Sequence, residues 1–263
     1  MSTPEQSGRP APPRGGEPVF LEFGQKPDEA GAIVRPDAPR TYPEEVLARL
    51  TADAEQIVAR YPQARSALLP LLHLVQSEDG YITPAGIEFC AVVVGLSPAE
   101  VMAVATFYSM YRRTPTGRYL VGVCTNTLCA VLGGDEIYAS LLDHLGLDGP
   151  GTTADGTVTL EHVECNAACD YAPVVMINWE FFDNQTPESA RRVVDDLLAD
   201  RPVTPTRGAP LGTCRDTARV LAGFPDTRPG ANDTPPGGPT LVGLLTAREH
   251  GMRAPAPGSD EEV

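Results

Sequence analysis

The sequence lacks an excess of positive charge, a long apolar run and a secretory leader, and each absence excludes a class of function. Its net charge of −15 at pH 7 would repel nucleic acid and anionic membrane surfaces. No run reaches the roughly 18 consecutive apolar residues that suggest a membrane-spanning helix. Residues 1–18 are polar and rich in proline and glycine, without the apolar segment of a signal peptide, so we expect no secretion.

Two familiar motifs are also missing. No Gly-x-Gly-x-x-Gly follows a predicted strand and no phosphate loop is present, so the sequence predicts no NADH site of its own. None of the six cysteines forms a Cys-x-x-Cys pair, which disfavours a thioredoxin-type dithiol. In a chain expected to stay inside the cell, six cysteines indicate metal ligands or redox thiols rather than disulfides.

Four of the cysteines form two close pairs, and each pair follows a predicted strand. The pairs are Cys124 with Cys129 and Cys165 with Cys169. The strand-like runs 118–123 and 157–163 precede them. Loops at strand ends are exposed and adaptable, so we expect the four sulfurs to meet at one edge of a sheet. Cys90 lies in an apolar helical run and Cys214 lies far along the chain, and neither is expected to be a ligand.

Four thiolates in two pairs suit either zinc or an iron–sulfur cluster. The spacings Cys-x4-Cys and Cys-x3-Cys are both wider than the two-residue spacing common in structural zinc sites. A two-iron cluster needs each pair to hold one iron, and wider loops accommodate that arrangement. The spacing therefore favours an iron–sulfur cluster, while zinc remains the alternative.

Hydrophobic periodicity divides the chain into four stretches. Residues 41–113 predict a helical bundle, and residues 114–202 predict alternating strands and helices that form a mixed sheet with helices against it, in an α+β fold. Residues 1–40 and 203–263 are expected to be disordered or extended tails, because their composition cannot bury enough apolar area. Within the second tail, 241–250 predicts a short helix that orders on a partner.

Several segments resemble the E subunit family of bacterial NADH–quinone oxidoreductase, which is respiratory complex I. The segments are 105–110 (ATFYSM), 123–129 (VCTNTLC), 164–170 and 172–173, with 61–62, 66–76 and 80–82 upstream. The resemblance covers about residues 41–200. It implies a thioredoxin-like ferredoxin domain behind the helical bundle, with one [2Fe–2S] cluster on Cys124, Cys129, Cys165 and Cys169.

The same resemblance implies the chain's role and its partners. We expect an electron-transfer subunit with no catalytic residue of its own, beside a flavin subunit that binds FMN and NADH. The location would be cytoplasmic, peripheral to the cytoplasmic membrane, with other peripheral-arm subunits as neighbours. The alternatives are the equivalent subunit of an NAD-linked formate dehydrogenase or hydrogenase, and a zinc-stabilised adaptor.

The second cysteine loop departs from the pattern of that family. Asn166 and Ala167 stand where the family usually has Leu-Gly, so we expect a different loop shape and potential with the ligands intact. Glu164 and Asp170 flank the second pair. Because carboxylates disfavour the added electron, their presence predicts a low reduction potential.

Overall fold

The computed structural model describes residues 37–231 and 235–253. The predicted N-terminal arm therefore lies almost entirely outside the described residues. The described α-helices are α1 Glu44–Val58, α2 Leu68–Asp79, α3 Pro84–Val94, α4 Pro98–Phe107, α5 Thr127–Val131, α6 Gly134–Leu145, α7 Pro187–Leu198, α8 Cys214–Leu221 and α9 Gly238–Glu249. The described strands are β1 Tyr119–Cys124, β2 Gly151–Thr152, β3 Val158–Val163, β4 Val175–Ile177 and β5 Glu180–Phe182.

Helices α1 to α4 share one core, and their ends follow the cap signals of the sequence. The Thr83 side chain accepts a hydrogen bond from the backbone N–H of Gly86 at the start of α3. Ser97 and Glu100 form a reciprocal capping box at the start of α4, as the sequence predicts. Leu71 and Leu72 of α2 are fully buried in the shared core. The predicted helical bundle is thus confirmed as a set of helices, whereas the domain boundaries at 113 and 202 stay a prediction.

The sheet is mixed, with strand order β2-β3-β1-β4-β5. Strands β1 and β3 run parallel, and all other neighbouring pairs are antiparallel. The register pairs Cys124 with Val163, so both parallel strands end at the same edge. The short elements α5, β2 and β5 were not predicted from the sequence, because two to five residues are too few to show a hydrophobic period.

The two faces of β1 have different surroundings. Val121 and Val123 pack with Ile137 of α6 and Leu197 of α7 in the main core of the sheet. Successive side chains on a strand alternate between faces, so Cys124 points away from that core. Cys124 instead belongs to a smaller buried cluster on the opposite face. The alternation therefore separates the cysteine from the structural core of the sheet.

No single described helix is long and apolar enough to cross a membrane. Helices α3 and α4 meet that description only when they are taken together, and they are bent by 115° at the break between them.

The segment after residue 203 differs from the expectation that it stays outside the fold. Helix α8 packs on α2, and Ala218 and Ala222 are buried there. Arg219 Nη1 lies 2.8 Å from a carboxylate oxygen of Asp53 in α1. Arg215 donates a hydrogen bond of 2.6 Å to the carbonyl oxygen of Glu78. The composition of this segment did not predict the packing. The small residues and arginines of α8 find their contacts on α1 and α2, which lie far away in the sequence.

Helix α9 contains the predicted segment 241–250 almost entirely, and it begins three residues earlier. It has no buried residue, and its side chains Val242, Leu244 and Leu245 are exposed. Near the cysteines, Thr240 Oγ1 of this helix donates a hydrogen bond of 2.6 Å to Asp170 Oδ2. The helix is therefore confirmed, and its docking on a partner stays a prediction.

Candidate metal centre

The structure brings both predicted cysteine pairs to the carboxyl edge shared by β1 and β3. Cys124 is the last residue of β1 and Cys129 lies in α5, and both are buried. Cys165 follows β3, and Cys169 begins a 3₁₀ turn, Cys169–Tyr171; both are exposed. The first pair is thus set into the protein, and the second pair lies at the surface.

The four thiols are close enough to influence one another. The Sγ atoms of Cys165 and Cys169 are 3.6 Å apart. The pKa of the Cys129 thiol is raised to about 11, mostly by burial and in smaller part by the thiols of Cys124 and Cys169. The hydrogen bond with Cys165 raises the pKa of Cys169, and Cys124 raises it further. Because metals bind thiolates, loading the site must release these protons.

A glycine allows the backbone of the first pair to approach α6. A methyl group on Gly134 would lie 2.5 Å from the carbonyl oxygen of Cys124 and 2.9 Å from that of Cys129. No side chain fits at such distances without a shift of the backbone that carries both cysteines. The lack of a side chain at Gly134 therefore allows the first cysteine loop to lie close to the start of α6. The sequence position of this glycine did not predict that role.

The second loop has a backbone conformation that favours glycine. Ala167 has φ of 54°, in the left-handed region, and its N–H donates a hydrogen bond of 3.3 Å to Cys165 Sγ. The side-chain amide of Asn126, in the first loop, donates to Glu164 Oε2 at 2.7 Å. One contact thus points a backbone donor at the sulfur of Cys165, and the other connects the two cysteine loops.

The four thiols at this edge are the type of ligand that an iron–sulfur cluster takes. Across residues 37–231 and 235–253, no three Cys, His, Asp or Glu side chains converge on one point suited to a metal ion. A structural zinc ion needs four ligands around one point. A [2Fe–2S] cluster needs two ligands at each of two separate irons. Two cysteine pairs, each after one of two parallel strands, can supply two ligands to each of two irons.

Comparison with known proteins identifies the domain that contains these cysteines. The sequence profile of thioredoxin-like [2Fe–2S] ferredoxins matches residues 54–198. The chain belongs to this family. The family fold and its cofactor, one [2Fe–2S] cluster, are therefore those of the chain.

Two relatives and one solved structure are similar to this ferredoxin. It is 64% identical over 247 residues to the E subunit of NADH-quinone oxidoreductase from Mycobacterium tuberculosis, covering 94% of this chain and 98% of that protein. It is 44% identical over 129 residues to subunit 2 of NADH-quinone oxidoreductase from Thermus thermophilus, covering 48% of this chain and 71% of that protein. An NAD⁺-reducing [NiFe]-hydrogenase structure is similar with a TM-score of 0.47 and 21% identity, covering 51% of this chain and 23% of that chain.

An arginine from the C-terminal segment braces the ferredoxin's second cysteine loop. The Arg207 guanidinium lies 4.8 Å from the ring centroid of Tyr171 and 4.5 Å from that of Phe181. It also forms two hydrogen bonds of 2.8 Å with the carboxylate of Asp183, which is buried. Since Tyr171 ends the turn that Cys169 begins, this contact anchors the surface pair. No local sequence pattern indicates the role of Arg207, because its carboxylate partner lies 24 residues away.

The remaining two cysteines lie apart from this edge. Cys90 is fully buried in the helical core, where burial raises the pKa of its thiol. Cys214 is half-buried at the first residue of α8, and burial raises its pKa as well. Both are free thiols.

Proposed function

We propose that this chain is the E subunit of an NADH–quinone oxidoreductase and carries electrons through one [2Fe–2S] cluster. The observation that carries the proposal is the position of two cysteine pairs at one sheet edge. This edge belongs to a chain that matches a mycobacterial E subunit at 64% identity over 98% of that protein. Subunits of this kind work inside a multi-subunit oxidoreductase, so we expect other subunits as partners.

The proposed ligands are the four cysteines of the edge. Cys124 and Cys129 would hold one iron, and Cys165 and Cys169 would hold the other. A bound [2Fe–2S] cluster supplies reversible one-electron transfer. The chain's own residues bind it through thiolates, bury one side and expose the other. Such asymmetry suits a carrier that exchanges electrons with a neighbouring protein.

The finer proposal is that the neighbouring protein is the subunit that binds FMN and NADH. Exposed apolar side chains lie in and beside the helix that carries Cys129, and an exposed apolar surface beside a cofactor supports docking. Leu128 and Val131 of α5 are 42% and 78% exposed, and Leu132 after it is 53% exposed. In such a complex the chain would lie on the cytoplasmic side, peripheral to the membrane.

Reconstitution of the full chain with iron and sulfide tests the cofactor and its ligands. The wild-type protein should bind two irons and two sulfides, and reduction should produce a rhombic one-electron paramagnetic signal. Replacing any proposed ligand with serine should lose or distort that signal, because an alkoxide is a harder ligand than thiolate. The matched controls C90S and C214S should leave the spectrum unchanged. A colourless protein that holds one zinc ion would refute the proposal and support the adaptor.

Affinity purification of the tagged chain from its own cells tests the complex. A complex I subunit should bring flavin and quinone-linked membrane subunits with it. Recovery with formate dehydrogenase or hydrogenase subunits instead would favour the alternative oxidoreductase.

A further inference from the structure

One polar group in the second cysteine loop lacks a hydrogen-bond partner. The side-chain nitrogen Nδ2 of Asn166 is buried and bonds to no other atom of the described residues. Within that same part of the chain, the other side-chain atoms in this condition belong to His73, Tyr138 and Ser140, which lie outside both cysteine loops. Asn166 directly follows the proposed ligand Cys165. A buried donor without an acceptor is unfavourable, so its presence at this position requires an explanation.

Two other donors of the cysteine loops already have acceptors. The backbone N–H of Ala167 donates to Cys165 Sγ at 3.3 Å. The amide of Asn126, across the gap between the loops, donates to Glu164. The side-chain amide of Asn126 thus has an acceptor among the described residues, whereas Nδ2 of Asn166 has none there. A group bound by the loop would supply such an acceptor.

A [2Fe–2S] cluster with four thiolates offers acceptors of suitable chemistry. Its sulfurs carry negative charge, and that charge increases when an electron is added. A hydrogen bond to such a sulfur stabilises the reduced state more than the oxidised state, and so raises the reduction potential. This effect opposes that of the carboxylates of Glu164 and Asp170, which flank the same pair.

We propose that the Asn166 side-chain amide donates an N–H···S hydrogen bond at the bound cluster and raises its reduction potential. The proposal rests on the proposed function, because it needs the cluster that the four cysteines hold. Asn166 is a cofactor-contacting residue in this arrangement, and it tunes the potential without serving as a ligand. The acceptor is a sulfur of the cluster or of its thiolate ligands.

The first test compares the reconstituted full chain with its Asn166→Leu variant. Leucine has a similar size and is neutral, so the substitution removes the donor without adding charge. We expect a shift to lower reduction potential in a redox titration followed by electron paramagnetic resonance, with unchanged iron and sulfide content. Asn166→Gln, which keeps a donor on a longer side chain, should recover part of the shift. An unchanged potential in the leucine variant would overturn the proposal.

The second test uses the wild-type sequence and does not depend on how a variant folds. The protein is prepared with asparagine carrying ¹⁵N only in its side-chain amide, and the reduced cluster is examined by pulsed paramagnetic resonance. A ¹⁵N coupling that disappears in Asn166→Leu is expected. Its absence in the wild-type protein would overturn the hydrogen bond, even if the leucine variant shifted the potential. Absence of any [2Fe–2S] signal in the wild-type protein would instead refute the proposed function.

Discussion

Replacing Arg207 with alanine should destabilise the protein strongly, because it leaves a buried carboxylate without its cation. The side chain of Asp183 is 6% exposed, and both of its oxygens accept a hydrogen bond of 2.8 Å from Arg207. Removing one member of a buried ion pair costs about 3 to 5 kcal/mol. Thr206 Oγ1 remains 2.9 Å from Asp183 Oδ2 in the variant, so we expect a loss near the lower end.

Equilibrium denaturation of the reconstituted full chain measures this loss as a change in the free energy of unfolding. Arg201→Ala is the matched control, because Arg201 pairs with Asp196 at the surface, where the two side chains are 57% and 41% exposed. Exposed pairs contribute about 0 to 1 kcal/mol, so the control should change stability little. Adding Asp183→Asn to Arg207→Ala should recover part of the loss, since no buried charge then remains. An Arg207→Ala loss no larger than that of the control would refute the reasoning.

Three further predictions concern the backbone of the site and the C-terminal segment. Gly134→Ala should lower the iron and sulfide content, because its methyl group would displace Cys124 and Cys129. The control variant Gly149→Ala, where the space is open, should bind the cluster normally. Ala167→Gly should leave the free energy of unfolding unchanged or raise it by up to about 1 kcal/mol, since glycine relieves a left-handed conformation at an entropic cost. A decrease of more than about 1 kcal/mol in that free energy would contradict backbone strain at Ala167. Truncation after Arg201 should cost at least about 3 kcal/mol, because Asp183 loses its buried partner. Truncation after Ala231 removes a helix without buried residues and should leave the unfolding midpoint unchanged; equal losses in both truncations would show that α8 does not brace the fold.

The local signals of the sequence correctly predicted several helix starts and the two strands that precede the cysteine pairs. Ser97, Pro98 and Glu100 specify a helix start within four residues, since a capping box depends only on neighbouring atoms. The apolar run that ends at Cys124 forms β1, because its residues are all buried in the sheet. Short elements and the packing of α8 were missed, since neither depends on a local period.

The sequence by itself determined which residue types could hold the cofactor, through two cysteine pairs whose spacing is too wide for a common zinc knuckle. Only the tertiary structure decided that the pairs meet, because parallel pairing of β1 with β3 brings two distant strand ends to one edge. It also decided that Arg207 braces the turn of Cys169 and that Asn166 holds an unpaired donor in the second cysteine loop. Those contacts depend on burial and on partners far along the chain, which local sequence patterns do not encode.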